Sequence, residues 1–281
     1  NNVQSSHIEG FGSVEAVAAA KGEIYTGLTP AGIAILNLDQ PWCDQWRALI
    51  NDKPCLTFSA SGAPADISAA DIEVMANGCC SFTLRVNLMS EQPALEQPVE
   101  LSIPGTHAVE NALAASACAL AAGANLEQIA AGLALVSPIA GRLDIKPLAN
   151  NSAVIDDSYN ASPSSFRAAI DVLANRSGRK ILVMGDMGEL GDDSVNMHSD
   201  VGAYALEAAI DALYAVGDLS ANACAAFGGN HFQSKELLAT AVSQELVKAT
   251  ADNRPVTFLV KGSRSAGMEK IVEHLITRGN S

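Results

Sequence analysis

The sequence predicts an α/β protein whose second half is a parallel, doubly wound sheet. Three observations carry this reading. Beyond residue 140, short apolar β runs alternate with helical stretches, as strands do when crossover helices cover both faces of a sheet. A Pro/Gly break at Ser137–Arg142 (SPIAGR) divides that half from a first half of different texture. Apolar residues make up 48% of the 281 and charged residues 17%, which suits the packed cores of two ordinary domains. The boundary is placed near residue 140, giving domains 1–139 and 140–281.

In the first half, Gly32–Asp39 reads as a buried strand and Trp42–Ile50 as a helix after Pro41. Asp71–Ala76, Ser81–Val86 and Pro98–Ile103 are β-rich, separated by Asn-Gly and Pro signals. A long Ala-rich helix runs from about His107 to Ala122 and closes at Gly123. A second follows from Leu126 to Leu135 with Asn125 as its N-cap. In the second half the order is Ala153–Ile155, helix Pro163–Leu173, Ile181–Met184, and helix Val195–Ala209. Ala212–Val216 and its following helix come next, then helix Leu237–Val247, strand Val256–Val260 and helix Gly267–Ile276.

Composition narrows the function. A net charge of −14, from 31 acidic and 17 basic residues, repels polyanions, so nucleic-acid partners and anionic membrane surfaces are not expected. A few placed Lys, Arg or backbone amides can still hold one small anion. The six cysteines show neither a disulfide framework nor CxxC metal spacing, a cytoplasmic pattern in which adjacent Cys79 and Cys80 read as packing. No apolar run reaches the roughly 18 residues of a membrane span. The start, Asn1-Asn2-Val3-Gln4, reads as the middle of a protein.

Ligands of doubly wound sheets sit at the carboxyl ends of the strands. Three predicted strand ends carry unusual polar runs: Ile155–Asn160 (IDDSYN), Met184–Glu189 (MGDMGE) and Val260–Ser265 (VKGSRS). Each also has a plain reading, with Ser162 as an N-cap before Pro163, Gly185 relieving a turn, and Lys261 or Arg264 solvated. Together they imply a phosphate- or carboxylate-binding edge, without specifying a reaction. In the first half, His7 and Lys21 flank the apolar stretch Val14–Ala20. They would share a face if one helix spanned the interval, although Gly10 and Gly12 oppose that, and Lys21 before Gly22 also reads as a helix-end lysine. His107 and Asn111, four apart, share a face of the Ala-rich helix.

These runs, with NNVQSSHIEGFGS and AAKGEIY at the start, NLD at Asn37–Asp39, PGTHAVENALAA, GRL at Gly141–Leu143, HSDVG from His198 and LVKGSRSAGME, resemble the Mur ligase family. That family builds the peptide stem of bacterial peptidoglycan. DDSYNASP, GDMGELG and KGSRS are similar to its D-alanyl-D-alanine-adding branch. The resemblance implies part of a Mur-ligase central ATPase domain over 1–139 and a Rossmann-like, doubly wound C-terminal ligase domain over 140–281. It implies a cytoplasmic, monomeric enzyme using ATP and Mg²⁺. The reaction would join D-alanyl-D-alanine to the terminal carboxylate of UDP-N-acetylmuramoyl-tripeptide through an acyl phosphate.

Residue by residue, Lys21 matches the family's carbamylated, metal-holding lysine and His7 a metal-site histidine near the transferred phosphate. His107 and Asn111 match the adenine-side helix, and Arg142 the hinge arginine reaching ATP. Asp157 matches the acidic residue that meets ATP, with Tyr159 and Asn160 facing the reaction centre. Lys261, Ser263 and Arg264 match the loop facing the acceptor. Two departures stand out. Ala108 replaces a frequent Asn, and no GxxGK[ST] phosphate loop is present. The chain therefore reads as the back portion of such a ligase, expected to be inactive alone. A folylpolyglutamate synthase relative and a noncatalytic binding module remain the alternatives.

Overall fold

A computed structural model describes residues 1–3, 8–75, 77–88 and 93–279. The described residues divide into two compact units, one of 1–3 and 11–137, the other of 8–10 and 138–279.

The first unit holds a five-stranded sheet in the order β1 (Ala34–Asn37), β2 (Cys55–Ser59), β3 (Ile67–Val74), β4 (Cys79–Val86) and β5 (Leu95–Pro104). β1, β2 and β3 run parallel, whereas β4 is antiparallel to both β3 and β5. Phe82, Leu84 and Val86 alternate along β4 and meet Val109, Leu113 and Ala117 of the Ala-rich helix in one core. The helices before it in this unit are α2 (Val14–Gly22) and α3 (Cys43–Ile50), and a single turn, α1 (Ile8–Phe11), precedes them in the chain. The Ala-rich helix is α4 (His107–Ala121), followed by α5 (Leu126–Ala134). Asn125 caps α5 through a capping box with Gln128. β5 contains Pro98 and Pro104, tolerated because it lies at the sheet edge.

Gly22 is fixed by close approach. A Cβ there would lie 2.7 Å from the Trp46 ring, whose Nε1 donates to the Ala18 carbonyl at 2.9 Å. The end of α2, and with it Lys21, is thereby seated against α3. The interval from Ile8 to Lys21 is not one helix: α1 and α2 are separate, with Gly12 at φ +84° between them.

The second unit is a six-stranded sheet ordered β10-β9-β8-β11-β7-β6. Its members are β6 (Asp144–Pro147), β7 (Ala153–Asp157), β8 (Arg179–Gly185), β9 (Ala212–Val216), β10 (Asn230–Phe232) and β11 (Val256–Lys261). All neighbours pair in parallel except β6, which is antiparallel to β7. The helices are α6 (Pro163–Ala174), α7 (Ser194–Glu207), α8 (Ser220–Phe227), α9 (Lys235–Ala251) and α10 (Glu269–Gly279). Leu182, Met184 and Leu259 face the core shared with α6, α7 and α8. Ile181, Val183, Phe258 and Val260 face the core shared with α9 and α10. Strands apolar on both faces thus make the three-layer, doubly wound arrangement expected of their sequence.

Differences from the sequence reading are local. β2, β6 and β10 have no counterpart among the elements expected from sequence; the last is only three residues long. The strand expected over Asp71–Ala76 runs instead over Ile67–Val74, with a register shift at Asp71, which adopts φ +53°. The predicted strand at Gly32–Asp39 narrows to Ala34–Asn37, because Asn37 Oδ1 accepts the Asp39 amide at 2.9 Å and starts a turn.

Candidate active site

In the second unit, the interleaving of β11 between β7 and β8 places all three polar runs at one carboxyl edge. Lys261 of β11 stands in register with Asp157 of β7 and Met184 of β8. Lys261 Nζ donates to Asp157 Oδ2 at 2.5 Å and to the Asn160 carbonyl at 2.9 Å. Asp157 Oδ1 accepts the Leu143 amide at 3.1 Å, while the Tyr159 amide donates to the Gly141 carbonyl at 3.0 Å. Gly141 has φ +77°, and a Cβ on it would lie 3.1 Å from Tyr159 Cβ, so glycine is required where the two segments meet.

This zipper brings Arg142 to 4.5 Å from the centroid of the Tyr159 ring, and Arg264 lies 5.7 Å from the same centroid. Tyr159 is 46% exposed. Among the described residues, neither guanidinium forms an ion pair. Asn160 is exposed, and its Oδ1 is taken by the Ala161 amide at 2.8 Å, so its side-chain NH₂ is left to donate outward. Ser263 is buried; its amide donates to the Asp186 carbonyl at 2.8 Å, and its hydroxyl lies 3.1 Å from that of Ser265. Arg142, Asp157, Tyr159, Asn160, Lys261, Ser263 and Arg264 therefore all belong to one edge of one sheet.

Asp186 was visible in the sequence only as part of a strand-end run. Its Oδ1 accepts both the amide and the hydroxyl of Ser220, at 2.7 and 2.6 Å, tying this edge to the start of α8. Ser220 gave no sequence signal, because its partner lies 34 positions away. His198 is fully buried. Its Nε2 accepts the Met187 amide at 2.9 Å, so the proton sits on Nδ1, which donates to the Ser194 carbonyl at 2.6 Å. Burial pushes its pKa down, opposed by the Ser194 carbonyl and by Asp186. An unfolded histidine gains its proton near about 6.5, whereas the buried ring resists it. Stability from this residue is therefore present above that pH and is lost as pH falls below it. Thermal unfolding should drop more steeply between about pH 7 and 5 in the parent than in His198→Gln. Equal slopes would refute the assignment.

In the first unit, Lys21 is exposed at the end of α2, and its Nζ donates to the Asn2 carbonyl at 2.8 Å. Asn37 Nδ2 donates to the Asn1 carbonyl at 3.0 Å and to Glu110 Oε1 at 2.8 Å. Asn1 in turn donates to Asn111 Oδ1, and Gln40 Oε1 accepts the Val3 amide at 2.8 Å. Lys21 and Asn111 are thus joined through the Asn1–Asn2 segment. His107, half-buried, opens α4 one turn before Asn111. His7 lies outside the described residues. Burial pushes the Asp39 carboxyl up, but hydrogen bonds from Ser59, Ala60 and Ser61 outweigh it and hold the group below its usual range.

For a divalent cation, the described residues contain no group of three His, Cys, Asp or Glu side chains. Lys21 can supply hard oxygen donors only as a carbamate. A carbamate nitrogen keeps one N–H, a donor of the kind that the Asn2 carbonyl accepts from Lys21. The local chemistry fits such a group.

The second unit is thus a doubly wound α/β domain whose carboxyl edge, where ligands of such sheets bind, carries an exposed aromatic, an amide and two guanidiniums that form no ion pair among the described residues. The Mur ligase middle domain matches residues 1–119, and the Mur ligase, glutamate ligase domain matches residues 141–264. The chain belongs to the Mur ligase family. It is 42% identical over 280 residues to the UDP-N-acetylmuramoyl-tripeptide–D-alanyl-D-alanine ligase of Escherichia coli strain K12, covering 99% of this chain and 60% of that one. The Haemophilus influenzae protein of the same name is 38% identical, over 98% of this chain and 58% of its own. Among solved structures, MurF from Acinetobacter baumannii superposes with a TM-score of 0.86 at 33% identity, over 98% of this chain and 58% of that one. The chain thus spans about 60% of the length of the curated relatives it matches.

Proposed function

We propose that this chain belongs to an ATP-dependent ligase that joins D-alanyl-D-alanine to the terminal carboxylate of UDP-N-acetylmuramoyl-tripeptide. The observation that carries the reading is the convergence of Arg142 and Arg264 on the exposed Tyr159 ring, with no carboxylate paired to either among the described residues. Such a pair suits a reaction in which anionic groups meet.

A carboxylate at neutral pH is a poor electrophile. Transfer of the γ-phosphoryl of ATP to it makes an acyl phosphate, which the amine of the dipeptide attacks with loss of phosphate. Arg142 is assigned to the transferring phosphoryl group and Arg264, with Ser263, to the acceptor. Asn160 donates from its amide to a developing oxyanion. Asn111 and His107 are assigned to the adenine. Lys21 as its carbamate, with His7, would hold Mg²⁺, which supplies neutralisation of phosphate charge. No described helix is long and apolar enough to cross a membrane. Cytoplasmic action as a monomer is our reading.

The test is ADP release by the whole protein carrying this chain. Release is expected only with UDP-tripeptide and D-alanyl-D-alanine together. Release with a folate and glutamate instead would move the assignment to a folylpolyglutamate synthase relative. ATP binding without release on any acceptor would leave a binding module.

A further inference from the structure

Lys261 is 2% exposed, a cation at the end of a buried strand that is apolar apart from Thr257. Its ammonium is engaged inside the fold by Asp157 at 2.5 Å and the Asn160 carbonyl at 2.9 Å, and it stands 5.4 Å from the centroid of the Phe166 ring. Through Asp157, whose other oxygen takes the Leu143 amide, it reaches the turn that carries Arg142. Leu143 adopts φ +49°, a left-handed conformation that disfavours a side chain and needs an external hold. Through the Asn160 carbonyl, the same ammonium reaches the loop that carries Tyr159.

We propose that Lys261 is a positioning residue of the ligase reaction proposed above: acting through Asp157 and the Asn160 carbonyl, it sets the Arg142 turn and the Tyr159 loop, and it does not touch the acceptor. The assignment rests on the ligase reading for its catalytic consequence, but its structural content stands apart from that reading. Arg142 is the competing cation. Burial lowers the Lys261 pKa, Asp157 opposes that, and the nearby Arg142 guanidinium lowers it further. With the Lys261 charge removed, Asp157 is left a buried anion, and Arg142 is drawn off Tyr159 towards it.

The experiment compares Lys261→Met and Lys261→Arg with the parent, in the whole protein. In Lys261→Met, hydrogen exchange at the Leu143 and Tyr159 amides should accelerate at least about tenfold relative to Val183 in the core of β8. Turnover should fall roughly 100-fold, as for a displaced reacting group, with the KM for D-alanyl-D-alanine within about threefold of the parent. Lys261→Arg, which keeps the charge, should recover part of both. A raised dipeptide KM with unchanged turnover and unchanged exchange would make Lys261 an acceptor contact and overturn the proposal. If the parent shows no dipeptide-dependent ADP release, the ligase reading falls, and the exchange comparison still decides whether Lys261 holds the two loops. Should Lys261→Met fail to fold, Lys261→Gln supplies a neutral donor of similar length for the same comparisons.

Discussion

Replacing Lys21 by alanine should lower turnover of the whole ligase by about 10²–10³-fold, the loss typical when one group stabilising transition-state charge is removed. The side chain is exposed and its one described bond is to the Asn2 carbonyl. Its loss should therefore change folding stability by no more than about 0.5 kcal/mol. That separation is diagnostic, because an inactive but fully stable variant points to chemistry and not to packing. If the lysine acts as a carbamate, a small carboxylate such as acetate should restore part of the activity of Lys21→Ala. Bicarbonate should support the parent. Steady-state ADP release with and without acetate checks both. Full activity of Lys21→Ala would remove the residue from the mechanism, and a variant that acetate cannot improve would weigh against the carbamate.

The second large effect is on stability. Asp157→Ala leaves the Lys261 ammonium, 2% exposed, without its counter-ion, and also frees the Leu143 amide. Breaking a buried pair from one side costs about 3–5 kcal/mol, because the remaining charge stays desolvated. For a domain of this size that corresponds to a fall of roughly 10 °C in the unfolding temperature of the second unit. Asp157→Asn should cost less, since an amide oxygen still accepts from Leu143 or Lys261. Urea and thermal unfolding, read on signals from the second unit, test the ordering. An Asp157→Ala protein as stable as the parent would show that the pair is not desolvated as described.

Much of the second unit was legible because its physics is local. Strands such as Ile181–Met184 and Val256–Val260 are apolar on both faces, and only a covered parallel sheet accommodates that pattern. Ser162 before Pro163 announced the start of α6, where the capping box with Ser165 is found. The five-stranded sheet was less legible. β2 has one half-buried end, and β3 turns at a left-handed Asp71, so neither shows clean alternation. β6 and β10 are too short to show a period.

The site divides in the same way. Strand-end chemistry could be read from DDSYN, MGD and KGSRS, because the carboxyl end of a buried parallel strand lies at the edge where ligands of such sheets bind. The sequence by itself therefore determined the fold class, the clustering of polar runs at strand ends and, through its motifs, the family. Which of those polar groups face outward was decided only by the tertiary structure. Lys261 and Arg264 stand three residues apart in one motif. Strand order sets Lys261 beside Asp157, where the Lys261 ammonium is buried, while Arg264 stays exposed beside Tyr159. A hydrogen bond between positions 104 apart follows from strand pairing, a long-range fact that no local spacing encodes.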